Sequence, residues 1–282
     1  MYFDLKSMLQ DCKQALFLHD FEMKQRPYQE PSFSMMKEKF LAWINYQQIR
    51  IDGPWNVRYL CRRLTGNQKN YSSSMGLLSK IFSNTRKPEG FWGRMMVAGM
   101  NGGSHAVMAS WGLDLANVPA EGEIIDIGCG GGANLARLMG RSLHAKVTGV
   151  DYSRVSVEKT RKVNADAIAE GRCQVLEASV AGLPFKDDTF GMATAFETVY
   201  FWPEIEKSFA EVRRILSPGG IFLIVNEDDG LSGNNEKWEK MIEGMHTYTP
   251  DELRTHLAAA GFRDVAVHRN ESKHWLCITT AK

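Results

Sequence analysis

Two hydrophobic patterns divide this chain. Residues 1 to about 90 place apolar side chains at helical spacing and show no strand alternation. Leu5, Met8, Leu9, Cys12 and Leu16 mark a first helix, which Gln25-Arg26-Pro27 and Glu30-Pro31 break. Met36, Phe40, Trp43 and Ile44 lie near one face of a second over 34–51, stopped by Asp52-Gly53-Pro54. Pro54 suits the first turn of a third helix over 55–64, and a short fourth follows over 73–82. Residues 91–122 form a bridge dense in Trp, Met and Gly. From Glu123 short apolar runs alternate with helical stretches. The strands are expected around Ile124-Ile125 and over 145–150, 173–178, 189–196, 221–226, 264–269 and 275–280. The helices are expected from about Ala133 and over 153–170, 203–216 and 249–261. Repeated strand–helix units predict a seven-stranded, mostly parallel α/β sheet with helices on both faces.

The division is therefore a helical segment over 1–90 and an α/β domain over 91–282. We expect the helical segment to cap the carboxyl ends of the strands and help close an acceptor pocket; its alternative role is dimerisation. Charge follows the same division. The whole chain carries +1, but residues 1–90 hold 14 Lys+Arg against 8 Asp+Glu, while 91–282 hold 20 against 25. The near-neutral total argues against a protein that coats nucleic acid. The basic first segment keeps an RNA-binding reading open.

The five cysteines, Cys12, Cys61, Cys129, Cys173 and Cys277, form no C-x-x-C pair. Their spacing speaks for a reducing, cytoplasmic setting and against a disulfide framework or a zinc site. No apolar run is long enough to span a membrane, and no signal peptide is visible.

The candidate chemistry centres on 123–138, EIIDIGCGGGANLARL. A short apolar run reaches Asp126, then glycines stand at 128, 130, 131 and 132 before a helix. Such a loop lets a polar ligand approach the main chain at the carboxyl end of a strand, beneath free helix N–H groups. Gly128-x-Gly130-x-Gly132 suits S-adenosylmethionine (SAM) enzymes, and with Ala133 the stretch also satisfies a dinucleotide pattern. Asp151, at the end of the next strand, can accept both hydroxyls of a ribose, a device common to both cofactors.

The motifs D-I-G-C-G-G-G, V-D-Y-S, L-P-F-x-D-x-x-F, R-R-I-L-S-P-G-G and Y-T-P-D-E-L occur in that order over about 100–282. Together they resemble class I SAM-dependent methyltransferases, in particular the branch of ubiquinone/menaquinone-type and sterol-type small-molecule enzymes. The resemblance implies a Rossmann-like core with SAM as cofactor and S-adenosylhomocysteine as product. It also implies that Asp126 and the loop residues Gly128, Cys129 and Gly130 hold the methionine end, Asp151 the ribose, and Tyr152 the adenine face. Ser179 and Val180 stand where family members often carry Gly-Asp-Ala; Ser179 offers a hydroxyl without the charge, and Val180 its N–H. Phe196 and Glu197 should adjoin the sulfonium.

The stretch Phe196 to Pro203 lacks the N/D/S-P-P-Y/F signature of enzymes acting on exocyclic amines of bases. There is also no Pro-Cys nucleophile of the kind used on cytosine. A small-molecule acceptor is the expectation, with Glu197, Tyr200 and Trp202 available to line its pocket. If the acceptor must lose a proton, His105 is the first candidate base, followed by Tyr200 and Glu197. No metal is implied. The competing reading is an NAD(P)-dependent oxidoreductase on the same loop, against which stands the lack of a Tyr-x-x-x-Lys pair. The other is an RNA methyltransferase using the basic segment.

Overall fold

A computed structural model describes residues 104–233, 239–240, 242 and 244–282. The helical cap expected over 1–90 lies outside the described residues. Numbered from residue 104, the elements are α1 (Ser104–Asp114), β1 (Glu121–Ile127), α2 (Ala133–Arg141), β2 (His144–Asp151), α3 (Arg154–Val163), α4 (Ala165–Ala169), β3 (Cys173–Glu177) and β4 (Phe190–Phe196). They continue with a 3₁₀ turn (Val199–Phe201), α5 (Ile205–Ile215), β5 (Leu216–Asn226), α6 (Pro250–Ala259), β6 (Arg263–Asn270) and β7 (Trp275–Ala281).

The seven strands form one sheet in the order β3-β2-β1-β4-β5-β7-β6. Strands β1 to β5 pair in parallel, and β7 runs antiparallel to both β5 and β6. Alternation along the strands builds two cores. Ile125, Ile127, Phe222 and Ile224 face the helices α5 and α6 with Phe209, Val212, Leu253 and Leu257. Ile124, Leu223 and Val225 face α1, α2 and α3 with Met108, Leu113, Leu135, Leu138 and Val157. Both faces being covered, the parallel strands read as apolar runs. The chain leaves β1 toward β2 on one side and reaches β4 on the other. The carboxyl ends of β1 and β4 thus flank the switch point where ligands bind in open sheets.

Three local differences from the expected elements matter. The bridge contains a helix, α1, whose Gly112 packs so tightly on β5 that an added Cβ would stand 2.4 Å from Val225 Cγ2. Ser217-Pro218-Gly219-Gly220 does not end before β5 but lies within it, where the β4–β5 register shifts between Phe190 and Met192. Its turn chemistry is realised as an irregularity of the strand, with Gly219 at φ 75°. The helix expected over 153–170 divides at Asn164, whose backbone leaves helical geometry at φ −110°, ψ 26°.

Helix α6 has the start its sequence announces. The Thr249 hydroxyl accepts from the Glu252 N–H at 3.3 Å, and the Glu252 carboxylate accepts from the Thr249 N–H at 2.8 Å, a capping box.

Candidate functional site

The loop after β1 is held by its neighbours. The Val150 carbonyl at the end of β2 accepts from both Gly128 N–H (2.8 Å) and Cys129 N–H (3.0 Å). The Cys129 carbonyl accepts from Gly132 N–H at 2.9 Å. The peptide groups of Gly130 are clamped on both sides. Its N–H donates to Asp151 Oδ2 at 2.9 Å, and its carbonyl accepts from Thr160 Oγ1 at 2.8 Å. Asn164 Nδ2 donates to the Gly132 carbonyl at 3.0 Å. Gly128 takes φ 82°, and a Cβ there would lie 2.3 Å from Thr198 Cγ2. Gly130, at φ 52°, has only the Gly128 carbonyl, at 3.9 Å, near such an atom. The first glycine is required by packing; the second leaves an approach open.

Two carboxylates flank this loop. Asp126, in β1, is buried beside its register partner Thr194 in β4, whose hydroxyl donates to Oδ1 at 2.7 Å. Oδ2 is buried with no hydrogen-bond partner. Burial pushes the Asp126 carboxyl up to about 7; the Thr194 bond opposes this, and the Asp151 charge adds to it. Asp151 Oδ1 accepts from Ser153 N–H at 2.8 Å. Its carboxyl is also raised, mainly by burial, while the N–H groups of Ser153 and Gly130 pull it back. The Ser156 hydroxyl also donates to this carboxylate.

The remaining expected cofactor residues divide by environment. Tyr152, next to Asp151, is 38% exposed. Ser179 is exposed and its Oγ accepts from Ala181 N–H at 3.2 Å, while Val180 is buried. Phe196 is buried with the α1–α3 core. Cys129 has its N–H and carbonyl engaged within the loop and its thiol in the same core. Burial holds that thiol far above its ordinary value.

The three candidate bases converge, although the sequence spreads them from 105 to 200. Glu197 Oε1 accepts from Glu227 N–H and, at 3.5 Å, from the Tyr200 hydroxyl. Asp228 N–H donates to the Tyr200 oxygen at 3.1 Å. His105 Nδ1 stands 3.6 Å from Glu227 Oε2. Glu197 occupies a left-handed backbone region at φ 60°, a strain that persists where surrounding structure over-determines it. Burial, and then the Glu227 charge, raise the Glu197 carboxyl well above its usual range. Burial, and then the Glu197 carboxylate, likewise hold the Tyr200 phenol well above its own. The Tyr200 hydroxyl lies 3.5 Å from Glu197 Oε1 and 3.4 Å from the Asp228 carbonyl, either of which can accept from it.

Trp202 is not pocket lining. Its ring stacks on Phe222 at 6.0 Å and meets Phe209 edge-on at 5.8 Å. Glu227 and Asp228 were missed by sequence reasoning, though they stand just beyond a strand, as Asp151 ends one.

A glycine loop and two acidic strand ends at the switch point of a parallel sheet define a class of nucleoside-cofactor proteins. Comparison narrows it. Residues 125–224 match the family described as a methyltransferase domain. Sterol methyltransferase-like 3 of Botryococcus braunii is 32% identical over 143 residues, 50% of this chain and 36% of that protein. Malonyl-[acyl-carrier protein] O-methyltransferase of Geobacter sulfurreducens is 30% identical over 156 residues, 51% of this chain and 57% of that one. The match to 24-methylenesterol C-methyltransferase 2 of Arabidopsis thaliana reaches 30% of its length, so this chain spans only part of each of these relatives. A SAM-dependent methyltransferase from Aquifex aeolicus shares the fold at TM-score 0.55 and 17% identity, covering 67% of this chain and 97% of that one. Residues 125–224 of this chain are thus similar to a methyltransferase domain, and the sheet shares the fold of a SAM-dependent methyltransferase.

Proposed function

We propose that this protein transfers the methyl group of SAM to a small-molecule acceptor. The observation that carries the reading is the unpartnered Asp126 Oδ2. A buried carboxylate oxygen without a donor is unfavourable, and an ammonium group is the donor that suits it. The methionine end of SAM carries such a group. Asp151, at the end of β2, would take the ribose hydroxyls. The exposed Tyr152 ring would cover the adenine, with Val180 N–H and the Ser179 hydroxyl at its edge. Gly128 and Cys129 support the loop, and Gly130 leaves the approach clear.

When bound, SAM supplies an electrophilic methyl on a sulfonium, so the chain's own work is mostly positioning. Phe196 and Glu197, at the end of β4, would face the acceptor side. Glu197, with its raised proton affinity, and the His105–Glu227 pair would receive a proton that the acceptor gives up. Sterol and acyl-carrier-protein acceptors in the names of the relatives support a small-molecule or carrier-bound substrate over RNA. The free, buried thiols Cys129, Cys173 and Cys277 support a reducing, cytoplasmic setting.

Calorimetric titration with SAM and, separately, NAD tests the cofactor. Saturable SAM heat without NAD heat is expected. Release of S-adenosylhomocysteine on adding small-molecule fractions tests the transfer. A folded chain that ignores SAM would reject the reading.

A further inference from the structure

Glu227 is drawn into the acceptor side of the site without a described hydrogen bond to its own carboxylate. Its Oε2, the His105 imidazole and a Glu197 oxygen come from three separate places in the fold: helix α1 and the ends of β4 and β5. One ligand-capable atom from each lies within 4.8 Å of the others. We propose that His105, Glu197 and Glu227 bind a divalent first-row transition ion.

The set is a mixed imidazole and carboxylate group on a rigid sheet edge. Bonds of about 2.0–2.2 Å would bring such atoms to roughly 3–3.6 Å apart. The 3.6 Å between His105 Nδ1 and Glu227 Oε2 already meets that spacing. Glu197 has Oε1 engaged by Glu227 N–H and Tyr200, and no described residue bonds to Oε2. Asp228 lies outside this set: its Oδ1 accepts from Gly230 N–H at 2.9 Å and its Oδ2 from the Ser232 hydroxyl at 2.8 Å. Among the described residues no lysine or arginine pairs with Glu197 or Glu227, and the Glu227 charge raises the Glu197 carboxyl.

A second observation lies at the same end of β5. Asn226 is fully buried, and neither its Oδ1 nor its Nδ2 has a partner. It stands between Glu227 and Val225, whose carbonyl accepts the Glu197 N–H at 2.9 Å. Buried amides without partners call for bound water or a polar ligand, so this end of β5 carries polar groups that the described residues do not satisfy. The imidazole favours Mn²⁺, Fe²⁺, Co²⁺ or Zn²⁺ over Mg²⁺ or Ca²⁺. The consequence for catalysis rests on the methyltransferase reading: the ion would ligate an acceptor oxygen, and His105 Nδ1 would then be a ligand rather than a base.

The test uses the untagged full chain, stripped with chelator, and Mn²⁺ as the probe, because thiols compete for it weakly. Free Mn²⁺ is followed by its paramagnetic resonance signal, and the same samples are titrated with SAM. One saturable equivalent is expected. Glu227→Gln and His105→Ala should each weaken it about tenfold or more while leaving SAM affinity near that of the parent. Glu227→Gln is isosteric and removes no described side-chain hydrogen bond, so it serves if His105→Ala fails to fold. A parent that binds SAM and no Mn²⁺, or variants with parental Mn²⁺ affinity, would overturn the ion site and leave the methyltransferase reading intact. Mn²⁺ uptake without SAM binding would do the reverse.

Discussion

Replacing Asp126 by asparagine should stabilise the ligand-free protein and weaken it as a cofactor binder. The Asp126 carboxyl titrates near 7 in the fold against 3.8 unperturbed, a gap of about three pH units. The folded state therefore holds this proton where the unfolded state has released it. Stability contributed by the group falls as pH rises from about 4 to about 7, and the full penalty stands above 7. At 1.36 kcal/mol per unit that penalty is about 4 kcal/mol. Asp126→Asn keeps the shape and an acceptor for the Thr194 hydroxyl but carries no charge. Its advantage over the parent should approach 4 kcal/mol at pH 8 and fade toward pH 4. Urea unfolding of both proteins across that range reads it directly. An ammonium ligand reverses the order, since only the carboxylate pairs with it. SAM affinity of the variant should drop by about 1.5–3 kcal/mol. Parental affinity should rise with pH up to about 7 and then level off, with a proton released on binding below that point. A variant no more stable than the parent at pH 8 would refute the burial argument. Undiminished SAM affinity would refute the placement of the ammonium.

Other substitutions probe the same loop and its support. Asp151→Ala removes both a ribose acceptor and the partner of Gly130 N–H, so SAM affinity should fall by about 1.5–3 kcal/mol in titration calorimetry. Gly128→Ala drives a methyl into Thr198 and should lower thermal stability, and Gly130→Val, strained at φ 52° though open in space, should lower it too and abolish SAM binding; differential scanning calorimetry with and without SAM reads both effects. Thr249→Ala breaks the capping box of α6 and should cost about 1 kcal/mol in urea unfolding with no change in SAM affinity.

The glycine loop was legible because its signals are local. Four glycines after a short apolar run, and an aspartate ending the next strand, mark the loop and the carboxylate that grips it within thirty residues. The acceptor half was legible only as residue types. His105, Glu197 and Tyr200 each stood out alone, yet their meeting depends on α1 packing Gly112 against Val225, a contact across more than a hundred residues. Helix α1 itself was hidden by the glycines and bulky apolar residues around it. Glu227 and Asp228 were missed although the end of β5 was expected at 226, because no motif marks the acidic pair there and only the fold brings it to Glu197 and Tyr200. Trp202 was misplaced because an aromatic beside a site and one in the core beneath it look alike until the Phe209–Phe222 stack is seen.

The single carbonyl of Val150 has a mechanical meaning. By receiving two successive amides of the glycine loop, it ties the tip of one strand to the turn that leaves its neighbour. Asp151, the next residue, grips the same loop one glycine further on. Loop and Asp151 carboxylate thus share one mount, and neither can shift without carrying the other. A substitution that tilts β2 would be felt at both ends of the cofactor at once, so mutational damage to this edge should arrive as loss of the whole grip and not as a graded change in one contact.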